Sequence, residues 1–197
     1  MNRRTALKRS ALLMGSGLAG TVFAGMLQGC QVDTGLDWSP AYFDPSEARF
    51  ISAFSEHLLP RTNTPGAQDV FVDRFLDQLI AEGFTAEQQA GFRAGLAELQ
   101  GACRDLHGKD FLGCSREEKD AFFKAQEALP GQPEHSLWGS TIVAGDEPSF
   151  YRQLKGLCLF GYFSSEEVGE RVLRYDPVPG KFVGCVPLSE IGNAWSL

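Results

Sequence analysis

Between residues 44 and 173, apolar positions recur at steps of three and four, the period of one buried helical face. Asp44-Pro45-Ser46-Glu47 puts an N-cap acceptor before a proline at the first helical position, with a glutamate three residues on to close a capping box. Phe50, Ile51, Phe54 and Leu58 then fall on one face, and Leu59-Pro60 ends the helix. The stretch from Arg61 to Ala67 is a loop by composition, since its Pro and Gly supply turn geometry. A second helix follows with the stripe Val72, Phe75, Leu76, Leu79 and Ile80, and Gly83 is its expected C-cap. Thr85 to Gln88 is another capping box, opening a helix that turns Phe92, Leu96, Leu99, Cys103 and Leu106 inward. Ser115 to Glu118 repeats the device for a helix carrying Ala121, Phe122, Ala125 and Leu129, stopped by Pro130. Phe150, Leu154, Leu157 and Cys158 mark one more face, and a shorter helix is expected from Ser165 to Leu173, capped by Ser164 with Glu167.

No strand pattern competes with these elements. The expected fold is mainly α: a single helical domain of five to six amphipathic helices over residues 44–173, after a linker at 30–43 and before an extended, Pro/Gly-containing C-terminal tail at 174–197. There is no internal repeat and no low-complexity segment. Two stretches break the helical rhythm. PGQPEHSLWGSTIVAGDEP, residues 130–148, is long for a loop inside a domain, and so is expected to be functional or pinned to something. RYDPVPGKFVGCVPL, residues 174–188, loses backbone donors at Pro177, Pro179 and Pro187 and is held extended by them. Such a segment can lie along a surface at little ordering cost, and Tyr175, Pro177, Pro179, Phe182, Val186 and Pro187 are its candidate contact residues. That surface belongs either to its own domain or to another chain.

The first 29 residues do not read as fold. A basic start, a glycine-softened apolar run and a small-residue boundary make the order of an export signal. Arg3 and Arg4, with Leu7 and Lys8 behind them, resemble the signal read by the twin-arginine translocase, which moves folded proteins across the bacterial inner membrane. Leu27-Gln28-Gly29-Cys30 resembles a lipobox, which makes Cys30 the candidate lipidation site. Cleavage after Ala24 and retention as an uncleaved anchor are the alternatives, although the run from Ala11 to Leu27 is short and Gly-rich for a membrane span. In each case the domain works outside the cytoplasm, on the periplasmic face of the inner membrane.

Roughly 165 residues would remain, enough for one domain with a real core. Removing the four basic residues of the signal from 18 basic and 25 acidic residues takes the formal charge from -7 to -11. Nothing basic is left to track a phosphate backbone, which excludes nucleic acid as a partner. Such acidity favours solubility.

Candidate chemistry is sparse. His57, His107 and His135 are far apart and form no HExxH pattern, and no CxxC, Walker loop, GxGxxG or GxSxG occurs. Glu117-Glu118 and Glu166-Glu167 stand where helix starts need acids, and neighbours on a helix point about 100° apart. No catalytic, cofactor-binding or metal-binding residue is assigned. A chain of this kind reads as a binding or accessory subunit. With Cys30 set aside, Cys103 and Cys114 are disulfide candidates, because a helix–loop–helix corner can bridge their ten-residue separation in an oxidising compartment. Closing that loop would stabilise by roughly 3 kcal/mol in the chain-entropy model. Cys158 lies on an apolar face and reads as a buried thiol. Cys185 could pair with Cys158 or with a cysteine on another chain.

Three segments carry a resemblance. HLLPRTNTPGAQDVFVDRFLD, from His57, resembles the N-terminal signature of the gluconate 2-dehydrogenase subunit 3 family, the small or gamma subunits of membrane-bound FAD-dependent sugar and alcohol dehydrogenases. FYRQLKGLCLFGYFSSEE and LRYDPVPGKFVGCVPL resemble its C-terminal signature, and the twin-arginine start is also a family habit. The likeness is strong over residues 54–77 and 150–188. It implies a noncatalytic subunit that binds no cofactor itself. The implied partner is a large catalytic flavoprotein of the glucose-methanol-choline type, which holds FAD and oxidises a sugar, sugar acid or polyol. A multihaem cytochrome c subunit, carrying haem c, commonly passes the electrons towards quinone. The small subunit then supplies the export signal for the preassembled pair. Subunits are disulfide-linked in some members, and by its place in GCVP Cys185 is the candidate for that inter-subunit link. The competing reading is a free-standing exported lipoprotein that binds a ligand or an envelope partner.

Overall fold

Three capping boxes set three helix starts. Asp44 accepts from the amides of Ser46 and Glu47 while the Glu47 carboxylate accepts from Asp44 N at 3.0 Å, opening α1, Pro45–Leu58. Thr85 and Gln88 do the same for α3, Ala86–His107, and Ser115 and Glu118 for α4, Arg116–Glu127. Each reciprocal pair satisfies two amide groups that a helix start otherwise leaves open. Between them lie α2, Val72–Gly83, and a single 3-10 turn at Phe111–Gly113. The chain finishes with α5, Phe150–Phe163, α6, Glu166–Arg171, and a one-turn α7, Leu188–Ile191. This computed structural model describes residues 36–129, 149–175, 180–181 and 184–196, so the 130–148 loop and the export and lipidation residues Arg3, Arg4 and Cys30 lie outside the described residues. All of these helices belong to the unit Trp38–Leu197. Among the described residues the fold is all-helical, with one isolated parallel bridge, Arg174 to Trp195, and no helix long and apolar enough to cross a membrane.

α5 is the central element: α1, α2, α3, α4 and α6 all pack against it. Its inward side buries Tyr151, Leu154, Gly156, Cys158, Gly161 and Tyr162. Two glycines let rings sit directly on helix backbones. A Cβ on Gly161 would stand 2.6 Å from the Phe75 ring, and one on Gly95 of α3 would stand 2.3 Å from the Phe150 ring. On the other side of the core Phe54, fully buried, meets the rings of Phe50, Phe111, Phe123 and Tyr151 at centroid distances of 5.9, 6.2, 4.8 and 5.8 Å. Tilted and edge-on rings at these distances gain electrostatic contact beyond their burial.

Several local expectations are corrected by tertiary structure. Gly83 closes α2 without a left-handed turn, because only Phe84, extended, separates it from the Thr85 cap. Leu106 is exposed rather than inward, since the left-handed Gly108 turns the chain back and Phe111 fills the core instead. In α4 it is Phe122 that is buried, while Ala121, Ala125 and Leu129 face outward. Ser164 caps the end of α5, its Oγ donating to Phe160 O at 2.7 Å, and α6 starts one residue later on Ser165. The tail is not extended throughout: besides α7, Arg174 N donates to Ala194 O at 2.8 Å and Ser196 N to Arg174 O at 2.9 Å, returning the chain end to the exit of α6.

One polar residue interrupts the apolar face of α2. Asp77, 1% exposed, accepts from the backbone amides of Ala41, Tyr42 and Phe43 at 2.6, 3.0 and 2.9 Å. The strap is held from its other side by Arg93, which donates to Tyr42 O at 2.9 Å, and by Tyr42 OH donating to Gln89 O at 2.6 Å. Charged acceptors make the stronger class of hydrogen bond, and removing one leaves its donors unpaired. Asp77→Ala is therefore expected to lower stability by about 3 kcal/mol in urea unfolding, with Asp77→Asn intermediate because one acceptor oxygen remains. Equal stability of both variants and the parent would show that the strap is not held this way.

Candidate functional site

The segment from Leu59 to Phe71 has no regular structure, yet almost every polar group in it is used. Pro60 cannot continue α1, and the chain closes on itself when Ala67 N donates to Leu59 O at 2.8 Å. Glu56, near the end of α1, accepts from the amides of Arg61 and Gln68 at 3.2 and 3.1 Å. The Arg61 guanidinium grips Asp69 with both arms, Nε reaching Oδ2 at 2.6 Å, and the same oxygen accepts from Gly66 N at 2.8 Å. That grip holds the Asp69 carboxyl below the usual carboxylate range and raises the guanidinium in turn. From α5, Tyr162 OH donates to Pro65 O at 2.8 Å. Gly66 is required sterically, since a Cβ there would stand 2.7 Å from Arg61 N and 2.8 and 2.9 Å from the two Glu56 oxygens.

This scaffold ends at Phe71, the residue before α2. Its φ of 56° and ψ of 40° are left-handed, and it is the one non-glycine among the described residues with positive φ. A left-handed L-residue costs about 1–2 kcal/mol, and Phe71 is 53% exposed, so its side chain is only half withdrawn from water. The Arg74 guanidinium carbon lies 4.5 Å from the centre of the Phe71 ring and 5.9 Å from that of Trp38, linking the two aromatics. Together with Ala41, Val70 and Phe75 they line a depression of about 430 Å³. On its other side Phe71 borders a second depression, of about 330 Å³, lined by Asp69, Glu166, Glu167, Glu170 and Arg171. Arg171 pairs with Glu167 at 2.9 Å, whereas Glu166 and Glu170 have no ion-pair partner among the described residues. The arrangement offers an apolar notch and a negative rim on either side of one strained ring, which is suited to contact and carries no acid–base or nucleophilic constellation.

The residues singled out from sequence fall elsewhere. The Sγ atoms of Cys103 and Cys114 stand 3.9 Å apart as two buried thiols, close together but about twice a disulfide bond length. Burial pushes the Cys103 and Cys158 thiols up to about 12. Cys185 is exposed, as are Tyr175, Val186 and Pro187, while Pro177, Pro179 and Phe182 lie outside the described residues. His57 sits among the rings of Phe111 and Phe123 with Nε2 2.9 Å from Asp120; burial lowers its pKa, with the Asp120 charge acting against that shift. His135 lies outside the described residues, and among those described no three His, Cys, Asp or Glu side chains converge as a metal site. Glu117 and Glu118 serve the Ser115 cap, accepting from Ser115 Oγ at 2.9 Å and from its amide at 2.6 Å. Phe71 and Asp77 were missed. Asp77 had a signal, a carboxylate one residue from Leu76 inside an apolar stripe, but Phe71 reads as one more hydrophobe beside a helix start.

A family model described as gluconate 2-dehydrogenase subunit 3 matches residues 45–180, from the first residue of α1 into the tail. No curated protein and no solved structure matches the chain.

Two substitutions test the scaffold. Gly66→Ala should destabilise by about 2 kcal/mol, because the nearest clash is with backbone that cannot move aside. Phe71→Asn should keep or raise the melting temperature, since Asn tolerates the left-handed region better than Phe. Thermal unfolding followed by circular dichroism measures both, and a marked fall in the Phe71→Asn variant would mean that the ring holds the fold.

Proposed function

Because this chain belongs to the gluconate 2-dehydrogenase subunit 3 family, we propose that it is the noncatalytic small subunit of a membrane-associated flavin-dependent dehydrogenase that acts on a sugar, sugar acid or polyol. The observation that carries the reading is the extent of the match, which runs through α1 to α6, the whole helical domain. The physics of the surface supports it. A rigid loop that spends backbone strain on an exposed ring, beside uncompensated acids, has the makings of a contact site. FAD and the reaction belong to the large glucose-methanol-choline type partner, and a multihaem cytochrome c is the third subunit where one is present. The chain's share is to stabilise the flavoprotein and to carry it outward.

The export role rests on Arg3 and Arg4. A preassembled pair can cross only by a route that accepts folded protein, so the twin-arginine translocase is the proposed route, with lipidation at Cys30 holding the complex at the periplasmic face of the inner membrane. In that compartment Cys103 and Cys114 form a disulfide by exchange with an oxidising protein disulfide, whose S–S bond breaks as its two sulfurs take up the two electrons and two protons and leave as thiols, and Cys185 is the proposed link to the large subunit.

Replacing Arg3 and Arg4 by Lys should leave the flavoprotein's dehydrogenase activity in the cytoplasm, read by fractionating cells. Unchanged periplasmic activity would overturn the shared-export role. Non-reducing electrophoresis of the purified complex should show the two subunits as one band, and their separation without reductant would remove the Cys185 link. A flavoprotein of that type without its own signal peptide, encoded next to this chain, is expected; its absence would favour the other reading, a free-standing exported lipoprotein that binds a ligand or partner.

A further inference from the structure

On the accessory-subunit reading above, we infer that Phe71 and the two depressions beside it form the docking surface for the flavoprotein subunit. The face it fits presents one apolar side chain to the notch between Trp38, Phe71 and Phe75, and basic side chains to Glu166 and Glu170. Three independent observations meet here. First, the fold holds an aromatic residue in the left-handed region with its ring half exposed, and it fixes the preceding loop through Glu56, Asp69 and Tyr162. A ring already fixed in position loses little freedom on binding, which is the condition for an interface anchor. Second, the apolar area continues from Phe75 to Phe160, whose rings are 5.8 Å apart and of which Phe160 is 45% exposed. Third, the charge around that area is net acidic: Arg74 lies over the Phe71 and Trp38 rings in the notch, but in the second depression Asp69, Glu166, Glu167 and Glu170 stand with Arg171. Asp69 and Glu167 are neutralised by Arg61 and Arg171, and Glu166 and Glu170 remain as the uncompensated pair.

The charge decides the occupant. A second copy of this chain, related by a two-fold axis, would bring two net-acidic patches together. An anionic lipid surface would be repelled by the same pair. A protein face with Lys or Arg around an apolar side chain gains on both counts, and its charges also speed encounter at low salt.

The test titrates the full-length chain against the purified large flavoprotein subunit of the proposed complex. Phe71→Asn should weaken binding by about tenfold or more while its melting temperature is kept, which separates a lost anchor from a lost fold. Glu166→Lys with Glu170→Lys should weaken it by about tenfold and flatten its dependence on salt. Leu106→Ser, at an exposed apolar position that lines neither depression, should bind as the parent does. If the parent binds and all three variants bind equally well, the surface is wrong and the subunit reading stands. If the parent itself does not bind the flavoprotein, both fall. Loss of a homodimer in Phe71→Asn with flavoprotein affinity unchanged would assign the surface to self-association and overturn the inference.

Discussion

One carboxylate joins the parts of this molecule that have no regular structure to the parts that do. Asp77 lies on the inward face of α2, almost without solvent, and takes three successive amide donors from residues 41–43. An isolated charge in that position would be prohibitive; with three donors it becomes a fixed point. The strap it holds carries Phe43 into the core at 5% exposure, leads directly into the Asp44 cap of α1, and sets Trp38 beside Arg74. The same helix begins at Phe71. Both walls of the apolar notch therefore depend on α2, one through backbone continuity and one through Asp77, which makes the notch a property of the fold and not of a loop.

A second constraint comes from connectivity. α5 is the helix around which the others gather, yet it arrives after residues 130–148 and is distant in sequence from the elements it completes. Its Tyr162 reaches Pro65, 97 positions away, and Gly161 receives the Phe75 ring. The loop scaffold is therefore finished only when α5 docks. This long-range closure explains how residues 57–77 and 150–167, both within the matched stretch 45–180, belong to one physical unit although half of the domain separates them.

What was legible in the sequence was what is decided locally. Capping boxes at Asp44, Thr85 and Ser115 depend on residues three apart, so pattern alone places them, and all three form. The helical class and the inward faces of α1, α2 and α5 follow from period in the same way. Where the reading failed, a distant element had intervened: Phe111 takes the core position that the α3 period assigned to Leu106, and Ser164 is claimed by the end of α5 before α6 can use it. The chain end returning to Arg174 was equally invisible, since it rests on pairing between residues some twenty apart with no strand pattern to announce it. The docking surface was the least legible part. Phe71 and Phe75 look alike in sequence, and only the backbone conformation distinguishes the ring that packs on Gly161 from the ring that is held out to solvent.

That distinction bears on how an accessory subunit can be specific. On the noncatalytic reading proposed above, strain is not needed for chemistry. Yet the one strained non-glycine backbone among the described residues sits at an exposed aromatic, fastened by an ion pair, a buried tyrosine and a glycine that admits no side chain. Replacing the strained residue by one that suits the left-handed region is expected to relieve that strain while giving up the ring's half-buried contacts and its contact with Arg74. A strained ring that the fold leaves half exposed is available to a contact outside the chain, and the neighbouring acids Glu166 and Glu170 give that contact its sign.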